Sequence, residues 1–204
     1  LCAVQGGSIR YDGTAGAVFT ATLPSVPTVS VPLGPDAARE GHSVSFWVED
    51  HHLADSVCDY VAAGLVAGEG VLIAVTDQHR ALIEERLVGL GIDLADAARL
   101  GQYTALDADA LHDMLKVEGR VDPQVFTDVV GAAVETLRTR WVAFRVFGEI
   151  VDLYWRDGDG HLSLELEDCW NEVRSRVPFP LYCGYEIAAD QGSVCGCHDV
   201  VLVA

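Results

Sequence analysis

The sequence predicts an α/β fold with a mainly parallel sheet and helices on both faces. Three observations lead to this prediction. Short apolar runs of strand length alternate with stretches whose apolar residues recur at helical spacing, a pattern typical of βαβ units. The run 71–75 contains no polar residue, as expected of a central parallel strand that is covered on both faces. Half of the 204 residues are hydrophobic, which is enough to build a sizeable core.

The first half of the α/β region predicts two strands, each followed by a helix. Gly68-Glu69-Gly70 interrupts the apolar pattern and ends the first helix. Asp77 is expected to cap the second helix, which ends before Gly91. In order, the predicted elements are a strand over 44–48, a helix on Leu53, Val57, Tyr60, Val61 and Leu65, a strand over 71–75, and a helix on Leu82, Ile83, Leu87 and Leu90.

The second half continues the alternation and contains the clearest helix starts. Asp107 is expected to cap a short helix, and Asp122-Pro123 places a capping residue before a proline, the order that helix starts favour. The predicted elements are strands over 102–106, 141–147 and 181–185, and helices on Leu111, Met114 and Leu115, on Phe126, Val129, Val130, Ala133 and Leu137, and on Leu162, Leu166, Cys169, Trp170 and Val173.

The two ends of the chain differ from this region. Residues 1–24 predict a strand, a turn and a second strand, and residues 25–40, rich in proline, predict a linker. The α/β domain is expected over 41–189, followed by a tail over 190–204 in which 200–203 are apolar enough to add an edge strand. Because the first residue is Leu, we expect the chain to be a piece of a longer protein.

Charge and cysteine content narrow the classes of partner and the compartment. The formal net charge is −18, which repels phosphate backbones and anionic lipid headgroups, so nucleic-acid and membrane partners are not expected. The six cysteines lack the dense, regular spacing of a secreted disulfide scaffold. No apolar run reaches the length of a membrane span, and no signal peptide begins the chain. These features favour a cytoplasmic protein.

Several short motifs, taken together, resemble the methanogen/methylotroph sensory domain family, called MEDS. The resemblance spans roughly residues 41–187, and its pieces follow one another in a fixed order. They are His42-Ser43-Val44, the stretch 64–71, the stretch 119–123 with Phe126, the stretch 147–152, Leu166-Glu167 with Trp170-Asn171, and Pro178-Phe179 with the stretch 181–185.

The resemblance to MEDS implies a sensory module of prokaryotic signalling proteins. The family looks like a degenerate relative of the RecA-like ATPases, which implies a three-layer sandwich. It also implies a small ligand, either a one-carbon compound or another hydrocarbon derivative. No cofactor is expected. Residues 6–9 and 16–24 separately resemble the closing hairpin of a histidine-kinase ATP-binding domain. That resemblance implies a kinase, or another signalling domain, as partner.

The loop after the first strand argues against nucleotide hydrolysis. A phosphate-binding loop needs clustered glycines, a lysine and a Ser or Thr. Here the sequence is Glu49-Asp50-His51-His52, whose carboxylates repel phosphate. We therefore expect a binding domain and not an enzyme, with any kinase activity belonging to a domain upstream.

In open α/β sheets, ligands bind beyond the carboxyl ends of the strands. Glu149 is the strongest single candidate, because it directly follows an apolar strand and should be desolvated. Two alternatives are that Glu149 caps the next helix or pairs with Arg145. The full set of candidate ligand-binding residues is Glu49, His51, Thr76, Asp107, Glu149, Cys183 and Tyr185.

Other polar residues have simpler interpretations. His51-His52 is expected to be a solvated helix start, since adjacent histidines point in different directions. His42 is expected to be structural, and Glu167 to lie on a solvated helix face, although it could also reach the pocket. The cluster Cys195, Cys197 and His198, with Cys183 as a further thiol, offers an alternative metal site, but it lacks a recognised zinc or haem spacing.

These observations leave three hypotheses for the function. The first is a sensor of a small ligand that signals to a kinase or partner domain. The second is a metal or thiol redox sensor that uses Cys195, Cys197 and His198. The third is a scaffold that binds only protein, either itself as a homodimer or a basic partner.

Overall fold

A seven-stranded sheet in which all neighbouring strands are parallel organises the chain. The structure is a computed structural model and describes residues 8–12, 18–22, 31–32, 41–186 and 191–203. The strands are β1 Ser8–Asp12, β2 Val18–Thr22, β3 Val31–Pro32, β4 His42–Trp47, β5 Gly70–Val75, β6 Tyr103–Asp107, β7 Lys116–Val117, β8 Arg120–Val121, β9 Phe144–Gly148, β10 Leu181–Glu186 and β11 Val200–Val203.

Helices connect the strands of this sheet, whose order is β3-β11-β4-β10-β9-β5-β6. A π-helical segment, Thr127–Gly131, joins α5 to α6. The helices are α1 Asp50–Val66, α2 Asp77–Gly89, α3 Leu94–Arg99, α4 Ala108–Leu115, α5 Pro123–Phe126, α6 Ala132–Arg140, α7 Ile150–Arg156, α8 Gly160–Arg176 and α9 Gln191–Cys195.

The sheet separates two apolar cores, which confirms the predicted three-layer α/β architecture. Along β5, Val71, Ile73 and Val75 face one core, and Leu72 and Ala74 face the other, because successive side chains of a strand point to opposite faces. Helices α1, α2 and α3 cover the first face, and helices α4 to α8 with the π-helical segment cover the second. Covering on both faces explains why the central strands are apolar throughout.

Local signals placed two of the three predicted helix caps correctly. The side chain of Asp107 accepts a hydrogen bond from the backbone of Ala110, and that of Asp122 accepts from Gln124, so both predicted caps are confirmed. The cap of α2 is Thr76, and Asp77 is instead the first residue of that helix. The strand predicted over 141–147 is Phe144–Gly148, because α6 extends to Arg140 and Trp141 is its C-cap.

The ends of the chain also contain regular structure. β1 and β2 pair antiparallel, as the strand-turn-strand pattern predicted. β3 lies in the segment predicted as a linker and pairs with β11, and β11 also pairs with β4. The predicted tail therefore contributes a strand inside the sheet order as well as helix α9. In the part of the chain that the structure describes, no helix has the length and apolarity needed to cross a membrane.

Candidate functional site

Strands β5 and β9 are neighbours at which the direction of the chain connections reverses. After β5 the chain continues to β6 on one side, whereas after β9 it continues to β10 on the other side. Such a reversal opens a crevice at the carboxyl ends of the two strands, where open α/β sheets bind ligands. Thr76 directly follows β5 and Glu149 directly follows β9, so both lie at this point.

Glu149 is buried, as predicted, with only 1% of its surface exposed. Its Oε1 accepts a hydrogen bond from the backbone N–H of Thr76, and its Oε2 lies 2.5 Å from Nδ1 of His79. Neither alternative interpretation of Glu149 is seen: its side chain does not cap α7, and Arg145 binds Glu69 at 2.6 Å. The carboxylate is therefore held between a strand end and helix α2.

His79 connects this carboxylate to a second one at the surface. Its Nε2 lies 3.3 Å from Oδ1 of Asp50, and Asp50 also accepts a hydrogen bond from Gln78 at 2.6 Å. Burial alone would lower the pKa of His79, but the carboxylates of Glu149 and Asp50 outweigh it and raise the pKa above its ordinary value. We call Asp50, Thr76, His79 and Glu149 the carboxyl-edge cluster.

Asp152 adds another buried carboxyl group near this edge. It lies in the first turn of α7 and accepts a hydrogen bond from the backbone N–H of Glu186 at 2.9 Å. Burial raises the pKa of Asp152 to about 6, although this hydrogen bond and the charge of Arg156 act in the opposite direction. A carboxyl group that titrates close to neutral pH is typical of functional sites.

A second polar cluster lies between the sheet and α8. Glu167 is fully buried there and accepts a hydrogen bond from the hydroxyl of Tyr185 at 2.6 Å. Its two oxygens lie 3.2 Å from Nε2 of His42 and 3.2 Å from Nε2 of His198, and Cys183 donates to it at 3.8 Å. We call His42, Glu167, Cys183, Tyr185 and His198 the buried cluster.

The buried cluster keeps one group ionised and two protonated. Burial alone would raise the pKa of Glu167, but His198 and His42 outweigh it and hold the pKa below its usual range. Burial and the nearby Glu167 carboxylate raise the pKa values of Cys183 and Tyr185 well above their ordinary values. A carboxylate thus faces a thiol, a phenol and two imidazoles in a closed space.

The seven predicted ligand-binding residues do not form one site in the structure. Thr76 and Glu149 touch each other in the carboxyl-edge cluster, whereas Cys183 and Tyr185 belong to the buried cluster. Glu49 and His51 lie 3.2 Å apart with more than half of each side chain exposed. Asp107 is exposed and caps α4.

The three tail residues named as an alternative metal site also separate. His198 enters the buried cluster, where its ring lies 4.1 Å from that of His42. Cys197 instead donates from its Sγ to the backbone oxygen of Ser193 at 3.7 Å. Among the described residues, the group whose ligand atoms all lie within 4.8 Å of one another is His42, Glu167, Cys183 and His198.

Sequence reasoning missed His79 and placed Glu167 of the buried cluster wrongly. His79 precedes Ile83 and Leu87 by four and eight residues, so the spacing already placed it on the buried face of α2. Glu167 was expected on a solvated helix face and is fully buried. The structural role of His42 stays a prediction, and its ring contacts both Glu167 and Cys183.

Two open clefts lie at the opposite, amino end of the strands. The larger, of about 520 Å³, is lined by residues that include Arg138, Val142 and Arg176. The smaller, of about 320 Å³, shares Val142 with it and extends to Arg145. Neither cleft is lined by a residue of the carboxyl-edge cluster. The amino end of the strands is therefore a separate candidate location for ligand binding.

Comparison with known protein families identifies the family of this chain. A family model described as "MEDS: MEthanogen/methylotroph, DcmR Sensory domain" matches residues 41–198. The match therefore covers most of the chain and includes every residue of both clusters. No curated protein matches the chain.

Proposed function

The chain belongs to the MEDS family of sensory domains, and from this premise we propose that it is a non-catalytic receptor for a small molecule. The ligand is a one-carbon compound or another hydrocarbon derivative. It binds at the carboxyl-edge cluster, and the bound state is passed to a kinase or another partner domain.

The observation on which this proposal depends is the meeting of Thr76, His79 and Glu149 where the strand connections reverse. Polar groups at such a crevice orient a small ligand whose remaining contacts are apolar. Asp50 links the cluster to the surface, since about half of its side chain is exposed. A ligand that displaces Asp50 or Gln78 changes the contact between α1 and α2, which gives the signal a route out of the site.

Two further features support a signalling role without catalysis. The loop at the start of α1 presents the carboxylates of Glu49 and Asp50 where a nucleotide-binding loop would present backbone N–H groups and a cation. The antiparallel pair of β1 and β2 is consistent with the resemblance of residues 1–24 to the end of a kinase ATP-binding domain. A kinase domain ahead of the sensor is the partner that we propose.

The thiols fit a reducing compartment. Cys58, Cys169 and Cys183 are buried free thiols in the described part of the chain. Such thiols persist in the cytoplasm, where disulfides are rare. We therefore place the proposed sensor in the cytoplasm.

Thermal unfolding of the full chain with a panel of small ligands tests the proposal. The panel contains methanol, methylamine, formate and short alkyl alcohols, each at a series of concentrations. A ligand that binds only the native state raises the midpoint of unfolding as its concentration increases. We expect at least one member to do so, and we expect Glu149→Gln to abolish that shift. If no member shifts the midpoint of the folded protein, the proposed ligand class is wrong.

Two control variants locate the site. Glu135→Gln removes an exposed partner of Arg138 far from the carboxyl edge, and it should leave the ligand-induced shift intact. Arg176→Gln changes the larger cleft at the amino end. If Arg176→Gln loses the ligand-induced shift of the unfolding midpoint and Glu149→Gln keeps it, the ligand binds in that cleft and the proposal is wrong.

A further inference from the structure

The buried cluster brings four metal-ligand atoms together from distant parts of the chain. His42 comes from β4, Cys183 from β10 and Glu167 from α8, and His198 follows α9. Nε2 of His42 lies 3.2 Å from Oε2 of Glu167 and 3.2 Å from Sγ of Cys183. Ligands of a tetrahedral zinc ion lie roughly 3.3–3.8 Å from one another, given metal–ligand bonds of about 2.0–2.3 Å. The two separations at His42 are close to that range, Sγ of Cys183 lies 3.8 Å from Oε2 of Glu167, and all four ligand atoms lie within 4.8 Å of one another.

Hydrogen bonds on the outer side of each imidazole determine which ring nitrogen is free. Nδ1 of His198 lies 2.8 Å from the backbone oxygen of Val194, which can only accept, so Nδ1 carries the proton. Nδ1 of His42 lies 3.0 Å from Oδ1 of Asn171. The amide nitrogen of Asn171 donates to the backbone oxygen of Cys197, which fixes Oδ1 toward His42. In the neutral tautomer, both histidines therefore present an unprotonated Nε2 to the cluster.

The lone pair of His42 Nε2 can accept from the thiol of Cys183, 3.2 Å away, whereas that of His198 Nε2 has no donor among the described residues. Nε2 of His198 lies 3.2 Å from Oε1 of Glu167, yet it makes no hydrogen bond within the described part of the chain. The side chains of His198 and Glu167 are both fully buried, so water does not solvate them. An unprotonated imidazole nitrogen repels a carboxylate beside it, so this arrangement calls for a cation at Nε2, either a proton or a metal ion.

We propose that the buried cluster is a binding site for a divalent transition metal of the zinc type. Two neutral imidazoles, one carboxylate and one thiolate are ligands that zinc accepts, and their charge of −2 balances the ion in a site without water. Binding releases the thiol proton of Cys183 to solvent, and the thiolate sulfur then bonds the metal. The proposed ligand atoms are His42 Nε2, Glu167 Oε2, Cys183 Sγ and His198 Nε2.

The surroundings of the four ligands suit such a site. Histidines that bind metal commonly donate their other ring N–H to a carbonyl or carboxylate, as His42 and His198 do to Asn171 and Val194. Tyr185 donates to the second oxygen of Glu167, which leaves Oε2 for the metal. A metal here would join the segment after α9 to the sheet, next to the point where the backbone N–H of Asp199 donates to the His42 oxygen and the Asp199 carboxylate accepts from the His42 N–H.

Cobalt titration of the full chain tests the site. The protein is purified without added metal, treated with a chelator, and titrated with Co²⁺, which substitutes for zinc and reports its ligands by absorption. We expect one equivalent to bind, with the strong visible bands of tetrahedral cobalt and a sulfur-to-cobalt charge-transfer band. Zn²⁺ should then displace the cobalt and remove both bands.

Matched variants assign the ligands. Cys183→Ser should remove the sulfur band, whereas Cys169→Ser, which alters another buried thiol on α8, should keep it. Asn171→Ala removes only an outer partner and should lower the affinity by about 10- to 100-fold. His198→Gln should lower it further. Circular dichroism of each metal-free variant shows whether the variant is folded, and the assignments are made on folded variants.

Three outcomes would overturn the proposal. The first is that the folded wild-type chain binds no cobalt at stoichiometric concentration. The second is that Cys183→Ser keeps the sulfur band. The third is that Cys195→Ser with Cys197→Ser removes the band while Cys183→Ser does not, which would place the metal in the tail. None of these results depends on the ligand panel, so the sensor proposal and the metal proposal fail separately.

Discussion

The carboxyl-edge cluster and the buried cluster both hold a buried glutamate beside histidine, but they balance its charge differently. At the edge, His79 lies between Glu149 and Asp50, and its raised pKa favours a charged imidazolium that neutralises the buried carboxylate. In the buried cluster, the outer hydrogen bonds of His42 and His198 direct Nε2 of each ring toward Glu167, and in the neutral tautomer that nitrogen carries no proton. Side chains of the protein complete the first arrangement, whereas we propose that a metal ion completes the second.

Access to solvent separates the clusters further. About half of the Asp50 side chain is exposed, so the edge cluster has a path to water and to a diffusing ligand. Every side chain at the centre of the buried cluster is enclosed between the sheet and α8. We infer that the edge is suited to reversible recognition and the interior to an ion that stays bound.

The largest effect is expected from His79→Leu, which leaves the Glu149 carboxylate buried with only the backbone N–H of Thr76 as partner. Removing one member of a buried ion pair costs about 3–5 kcal/mol of unfolding free energy. Urea denaturation at pH 6 measures this loss. His52→Leu, at an exposed position of α1, is the control and should unfold like the wild type. A loss below about 1 kcal/mol would show that the ion pair does not hold Glu149 in place.

The stability lost in His79→Leu should depend on pH, and the raised pKa of His79 determines the direction of that dependence. Since the folded-state pKa of His79 is raised, its stabilising contribution is complete below the unfolded value of about 6.5 and is lost as pH rises through the folded value. The free-energy difference between wild type and His79→Leu should therefore shrink on the alkaline side. A difference that grows from pH 6 to 9 would contradict this assignment.

Asp152→Asn is expected to stabilise the protein. The folded-state pKa of about 6 exceeds the unfolded value of 3.8, so ionisation destabilises the native state as pH rises from about 4 to 6. Asparagine avoids this penalty, and its side-chain oxygen can still accept from the Glu186 N–H. We expect a gain of up to about 3 kcal/mol at pH 7.5 and none at pH 3.5. Denaturation curves at both pH values measure it, and an equal gain at both would exclude ionisation as the cause.

Tyr185→Phe tests the buried cluster with a smaller change. It removes the hydroxyl that donates to Glu167 at 2.6 Å and leaves the ring in place. Loss of a hydrogen bond to a charged group costs about 1.5–3 kcal/mol. Denaturation of the chelator-treated protein gives the value. Tyr103→Phe, whose hydroxyl contacts Glu84 at 3.2 Å nearer the surface, should cost less, and the reverse order would contradict the proposed role of Tyr185.

The two clusters also differ in how far the sequence predicted them. The burial of Glu149 could be predicted from neighbouring residues alone, because a carboxylate that directly follows an apolar strand lies at the buried end of that strand. The three layers of the α/β fold and the helix caps at Asp107 and Asp122 could be predicted because they too depend on short stretches of sequence. Thr76 was named for its position after β5, but its contact with Glu149 depends on β5 and β9 being neighbours in the sheet, which no local pattern encodes.

The buried cluster depends entirely on such long-range order. Glu167 lies in the middle of a charged helical stretch, and only the packing of α8 on the sheet turns it inward. His42 and Cys183 become neighbours because β4 and β10 pair in parallel. His198 joins them because β11 enters the sheet beside β4, so a segment predicted to be a tail completes the cluster.

The smallest effect on stability is expected where the predicted site residues are exposed. Glu49→Gln and His51→Gln alter an ion pair in which both side chains are more than half exposed, and such pairs contribute little to folding. We expect their unfolding midpoints to match that of the wild type. If the ligand enters beside Asp50, however, each variant should weaken the ligand-induced shift while leaving the ligand-free midpoint unchanged. Paired thermal scans with and without ligand separate the two effects. A midpoint lowered without ligand would show that this pair supports the fold, and an unaltered ligand shift would show that entry does not pass the start of α1.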